Sequence, residues 1–126
     1  MIKKFIIILF IVAPTNVLSF DKITNFTFEK FETAQNNNRT IVVNSWNKYC
    51  STCKAQSKIF ADAINDFKNV EFLFYEQTKH KDIAEALNID YWTTIIVFKG
   101  KNEIIRTIGL SKKEEVYSAI KKGIYN

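Results

Sequence analysis

Two cysteines, Cys50 and Cys53, stand two residues apart in the stretch Ile41 to Lys54, IVVNSWNKYCSTCK, and the 126-residue chain has no others. A thiol pair at that spacing can form a disulfide, pass one on, or hold a soft metal. The β-branched run Ile41-Val42-Val43 ahead of the pair reads as a buried strand, and the residues after it have helical periodicity. The dithiol is therefore expected at a strand-to-helix junction. The first N–H groups of a helix lack intrahelical partners and carry the positive end of its dipole, which favours a sulfur there as thiolate, the reactive form.

Competing uses of the pair are weaker. A zinc site asks for about four ligands, which two cysteines and the distant His80 do not supply within one chain. His80, in a Lys-His-Lys setting, reads as a solvated side chain. A purely structural disulfide closing so short a loop would stabilise little. A redox-active pair is the preferred reading. The alternatives are a metal-handling module, with Cu(I) or an Fe–S cluster bridging two chains, and a redox-inert docking domain.

The elements that must position the pair can be read in order. Phe26-Thr27-Phe28 is expected to start a short edge strand, and Phe28, Phe31 and Ala34-Gln35 have the spacing of a first helix face, ended by Asn36-Asn37-Asn38. Ile41 to Trp46 is the central strand. From Lys54, the residues Ala55, Ile59-Phe60, Ala63-Ile64 and Phe67 form one apolar stripe, with Lys58, Asp62, Asn65 and Asp66 in water. Val70 to Tyr75 reads as a strand covered on both faces, joined to the first by a parallel crossover. Lys81 to Leu87 is a brief helix with Ile83, Ala84 and Leu87 inward, closed by Asn88 in the left-handed conformation. Thr94 to Phe98 and Glu103 to Ile108 form a hairpin around Gly100, and Ser111 with Glu114 reads as a capping box. The last helix turns Val116, Ala119, Ile120 and Gly123 to the sheet. The class is α/β, in the order β-α-β-α-β-α-β-β-α.

At these residues a resemblance enters. VVNSWNKYCSTCK resembles the active-site segment of the thioredoxin superfamily, with Trp46 four residues before the first cysteine, Tyr49 just before it and Lys54 just after the second. The likeness runs over nearly all of the chain beyond its first twenty residues. It implies the thioredoxin fold, a central mixed β-sheet flanked by helices, and a thiol:disulfide oxidoreductase that needs no cofactor and no metal. Cys50 is then the attacking thiolate and Cys53 the resolving thiol. Tyr49, Trp92 and Thr93 would form the shallow apolar surface that takes a partner, with Trp46, Asn44 and Lys54 in support. Lys48 and Lys54 otherwise read as solubilising charges, screened within about a Debye length.

The sequence departs from the family pattern at three places. Ser51-Thr52 replaces Gly-Pro between the cysteines, which leaves the direction of electron flow open, with a lean to reductant or relay from Lys54 and the helix that follows. Asn44 stands where a buried acid would help move the proton of Cys53, and an amide cannot act as that base, so the proton is expected to pass through water. Thr93 stands where the family has a cis-proline. A cis bond before a non-proline residue costs roughly 2.5–4 kcal/mol, so the Trp92–Thr93 bond is expected to be trans.

Composition bounds the rest. With 47% hydrophobic and 25% charged residues, the chain suits one soluble domain. Met1-Ile2-Lys3-Lys4 and the apolar run Phe5 to Ala13 have the form of a signal peptide, with cleavage expected after Ser19 and a domain over residues 20–126. The other readings of that run are an uncleaved anchor and a buried helix. Cleavage removes two lysines and lowers the formal charge from +5 to +3. The remaining lysines are scattered among glutamates, so no nucleic-acid footprint is present. The expectation is a periplasmic or secreted monomer with no stable membrane insertion after cleavage. Its partners would be cysteine-containing exported proteins and a redox donor or acceptor protein.

Overall fold

The computed structural model describes residues 24–126. Over that span the elements run α1 (Phe28–Asn36), β1 (Thr40–Trp46), α2 (Ser51–Asp66), β2 (Val70–Glu76), α3 (Lys81–Ala86), β3 (Thr94–Lys99), β4 (Asn102–Ile108) and α4 (Lys113–Ile124). The leader expected over residues 1–19, and its boundary with the domain, lie outside the described residues.

The sheet order is β2-β1-β3-β4. β1 pairs parallel with β2 and antiparallel with β3, and β3 pairs antiparallel with β4, so the sheet is mixed as expected. All of β1 is buried because it has a neighbour on each side and helices on both faces, which is why its apolar run needs no polar alternation. The pleat still divides it. Ile41 and Val43, with Leu73, Tyr75, Ile96 and Phe98, pack against Phe31 and Ala34 of α1 and Ile83 and Ala84 of α3. Val42 and Trp46, with Phe72, Phe74, Ile95 and Val97, pack against Ile59 and Phe60 of α2 and Val116 and Ile120 of α4. The result is a sheet between two helix layers, with both ends of the functional loop held by β1 and α2.

Three positions in the turns and helices decide local geometry. Asn38 and Asn88 take positive φ, 51° and 53°, as the polar breaks after α1 and α3 require. Gly123 of α4 lies so close to the sheet that a Cβ there would overlap Val97 Cγ1.

Three expectations are corrected. Among the described residues no strand precedes α1: Thr27 caps that helix by accepting the Lys30 N–H at 3.1 Å. The segment before it instead seals the β2 edge. Asn25 donates from Nδ2 to the Phe72 carbonyl and accepts the Phe74 N–H at Oδ1, 3.0 and 2.6 Å, and the Asn25 and Phe26 backbone N–H groups donate to the Phe74 carbonyl at 3.0 and 3.1 Å, so side chain and backbone together cover the edge. The Ser111 to Glu114 capping box does not form, because α4 starts later, after Lys112 at its N-cap with no side-chain capping bond. On α2 the stripe is shifted. Ala55 is half-buried, while Gln56 is fully buried.

Candidate active site

β1 delivers the chain to a short loop, Asn47 to Tyr49, and α2 begins at Ser51 with Cys50 as its N-cap. The Cys50 sulfur takes the place of a capping oxygen and accepts the Cys53 N–H at 3.1 Å. Cys50 is partly exposed, Cys53 is buried, and both are free thiols. Burial pushes the Cys53 thiol up to about 12, with the hydrogen bond to the Cys50 sulfur adding to it. The pair is therefore asymmetric, one sulfur facing solvent at the helix end and one held protonated against Trp46, Ile59 and Phe60 in the core.

The loop ahead of Cys50 is fixed by Asn47. Its carbonyl accepts the Cys50 N–H at 3.2 Å and its Oδ1 accepts the Tyr49 N–H at 3.0 Å. Its Nδ2 donates to Glu76 Oε1 at 3.1 Å. Glu76 is buried at the end of β2 and also accepts from the Thr78 N–H and hydroxyl. Burial opposes its charge, yet the Thr78 hydrogen bonds and the Lys79 ammonium outweigh that and hold the carboxyl below its ordinary range.

One turn along α2 from Cys53, Gln56 belongs to a neutral polar cluster. Asn44, buried in β1, donates to Gln56 Oε1 and to the Thr94 carbonyl, both at 3.1 Å. Gln56 in turn donates to Thr93 Oγ1 at 3.1 Å and to the Leu110 carbonyl at 2.7 Å. Thr93 is thereby tied to the helix that carries the dithiol. Ser45 ties the same loop from β1, accepting the Thr94 N–H and donating to the Tyr91 carbonyl, each at 3.0 Å.

The Trp92–Thr93 peptide is cis, not trans as expected. The local preference of a threonine is for trans, whereas Thr93 is 2% exposed and held through its hydroxyl, its carbonyl (which accepts the Gly109 N–H) and its neighbour Thr94. The surroundings, not the residue type, set the geometry here.

Tyr49, Tyr91 and Trp92 are exposed, and Lys48 Nζ sits 4.9 Å from the Tyr49 ring centroid. Of the three residues expected on a docking surface, Tyr49 and Trp92 are exposed, while Thr93 is buried, its hydroxyl taken up by Gln56. Trp46 packs in the core with Cys53, and Lys54 is exposed on α2. Asn47, Gln56 and Glu76 were missed. Glu76 was legible as an acid ending the apolar run FLFYE, and Gln56 as a polar residue one turn from Cys53 on an apolar face. No group of three or more histidine, cysteine or acidic side chains could hold a metal among the described residues.

The thioredoxin family profile matches residues 22–122. The chain belongs to the thioredoxin family. A thioredoxin of Mycoplasma genitalium is 33% identical over 78 residues, covering 62% of this chain and 76% of the relative. Among solved structures, Trxlp of Edwardsiella tarda superposes with a TM-score of 0.71 at 16% identity, over 74% of this chain and 92% of that one. Mitochondrial thioredoxin 3 of Saccharomyces cerevisiae, in its oxidised form, gives 0.69 at 22% identity over 82% and 97%. These structures share the fold. Family membership makes the Cys50–Cys53 pair the place to look for thiol–disulfide chemistry in this thioredoxin-family chain.

Proposed function

We propose that this chain is an exported thiol:disulfide oxidoreductase that reduces or relays disulfides of other exported proteins. The observation that carries the reading is the asymmetry of the pair: Cys50 caps α2 with its sulfur accepting an N–H and partly exposed, while Cys53 waits buried and protonated one turn inside. The Cys50 thiolate attacks one sulfur of a partner disulfide; a Cys50–partner bond forms, the partner S–S bond breaks, and the released thiolate takes a proton from water. Cys53 then attacks Cys50. The Cys50–Cys53 bond forms, the mixed disulfide breaks, and the proton that Cys53 gives up is the one the second leaving sulfur needs. Two electrons pass to the partner, and a donor protein must return them. Asn44 and Gln56 are amides and cannot take the Cys53 proton, so water carries it and the second step is slow at neutral pH.

The exposed Tyr49, Tyr91 and Trp92 offer aromatic rings for contact with an extended substrate segment. Export is supported by the basic and apolar pattern of residues 1–19. Reduction of insulin by dithiothreitol, followed by turbidity, tests the activity: wild type accelerates it and Cys50→Ser does not. Cys53→Ser accumulates mixed disulfides with partner proteins. Equal trapping by both variants would overturn the roles. Export is tested by sequencing the N-terminus of the mature protein, expected to begin at Phe20; an N-terminus at Met1 in the cytoplasm rejects it.

A further inference from the structure

The geometry points to Gln56 as a positioning residue that seats the Tyr91–Thr94 loop against the dithiol helix. The role rests on the thiol-exchange reading above. Gln56 is fully buried on α2, one turn beyond Cys53. A buried amide on an apolar face is costly unless its hydrogen bonds are made, and here three are. Oε1 accepts from Asn44 Nδ2, and Nε2 donates to the Leu110 carbonyl and to Thr93 Oγ1. The Leu110 carbonyl can only accept, which fixes the orientation of the amide and leaves its second N–H for Thr93.

The two ties on the loop are of different kinds. Ser45 holds it by its backbone, at the Tyr91 carbonyl and the Thr94 N–H. Gln56 is the contact that reaches the side chain of Thr93 from the element carrying both sulfurs. The loop presents Tyr91 and Trp92, so its seating on α2 sets the distance between the aromatic surface and Cys50. A leucine or methionine at position 56 would fill the space and leave that distance unset. Gln56 acts through Thr93 and touches no reacting atom.

The test compares Thr93→Val, which removes only the acceptor of the Gln56–Thr93 bond, with Gln56→Met, which removes its donor together with the bonds to Asn44 and Leu110, both with little change in volume. One such bond corresponds to about a five- to tenfold effect, expected as a rise in KM for a protein disulfide. Each single variant should show it; Gln56→Met also removes the bonds to Asn44 and Leu110, so the double variant should be no worse than Gln56→Met alone, which already lacks the contact that Thr93→Val removes. Backbone exchange gives a readout independent of turnover. The Gly109 N–H, which donates to the Thr93 carbonyl, should lose protection in both variants while the amides of β1 and β2 keep theirs. Should Gln56→Met fail to fold, Thr93→Val carries the same expectation alone. Unchanged KM and unchanged Gly109 exchange in Thr93→Val would overturn the assignment, as would additive losses in the double variant. A wild type that exchanged no disulfides would remove the proposed function, and Gly109 protection would still decide whether Gln56 seats the loop.

Discussion

Removing Cys50 should leave a thiol at Cys53 that barely reacts at neutral pH. The Cys53 thiol is raised from 9.0 to about 12, first by burial and then by the Cys50 hydrogen bond. In Cys50→Ser the second cause is lost and the first remains. A thiol held up by burial still has a thiolate population at pH 7 below that of an ordinary cysteine. Iodoacetamide labelling of Cys50→Ser should therefore be slower than that of Cys53→Ser by at least about tenfold, since thiolate is scarce at Cys53 and the reagent also has to reach a buried sulfur. The rate should climb about tenfold per pH unit from about pH 7 to 10 with no plateau. A second consequence follows from linkage. A thiol whose folded pKa is raised stabilises the fold fully below the unfolded value near 9 and loses that contribution as pH rises toward 12. Urea titration of Cys50→Ser against the Cys50→Ser, Cys53→Ser double variant should give curves that converge above about pH 9, by up to about 1.4 kcal/mol per pH unit. Labelling of Cys53 at neutral pH as fast as that of Cys50, or stability curves that stay parallel to about pH 11, would refute the buried, protonated assignment.

Glu76→Ala strips the acceptor from Asn47 Nδ2 and from both Thr78 donors and should cost about 2–4 kcal/mol in urea unfolding. In wild type the Glu76 contribution is present above the ordinary carboxylate range near 4.5 and fades as pH falls through its lowered folded value, so Glu76→Gln should flatten the acid limb of the stability curve. Gly123→Ala should lose about 1–3 kcal/mol, because the new methyl meets Val97 Cγ1 and stands 2.9 Å from Thr40 Cγ2; an unchanged melting temperature would show that α4 can shift off the sheet. Oxidation of the pair should quench tryptophan emission, since Trp46 shares a core cluster with Cys53, and identical spectra in the two redox states would contradict that packing.

The dithiol, its strand-to-helix setting and the α/β layering were legible because each is written in local pattern. The short apolar runs in IVVNSW and FLFYE, and the 3.6-residue stripe through Ile59, Phe60 and Ala63, are set by which faces can leave water, and the helix end that receives Cys50 follows from them. Pattern alone misjudged the places where a distant group overrides a local preference. Asn25 replaces a strand by bonding β2 from 47 residues away, and the Trp92–Thr93 bond is cis although threonine by itself favours trans. Gln56 reads as a flaw in an apolar stripe until Asn44, Thr93 and Leu110, from 12, 37 and 54 residues away, close around its amide. A buried amide's three hydrogen bonds can be counted from its residue type, but which groups make them is decided only when β1, α2 and the loops before β3 and α4 pack together.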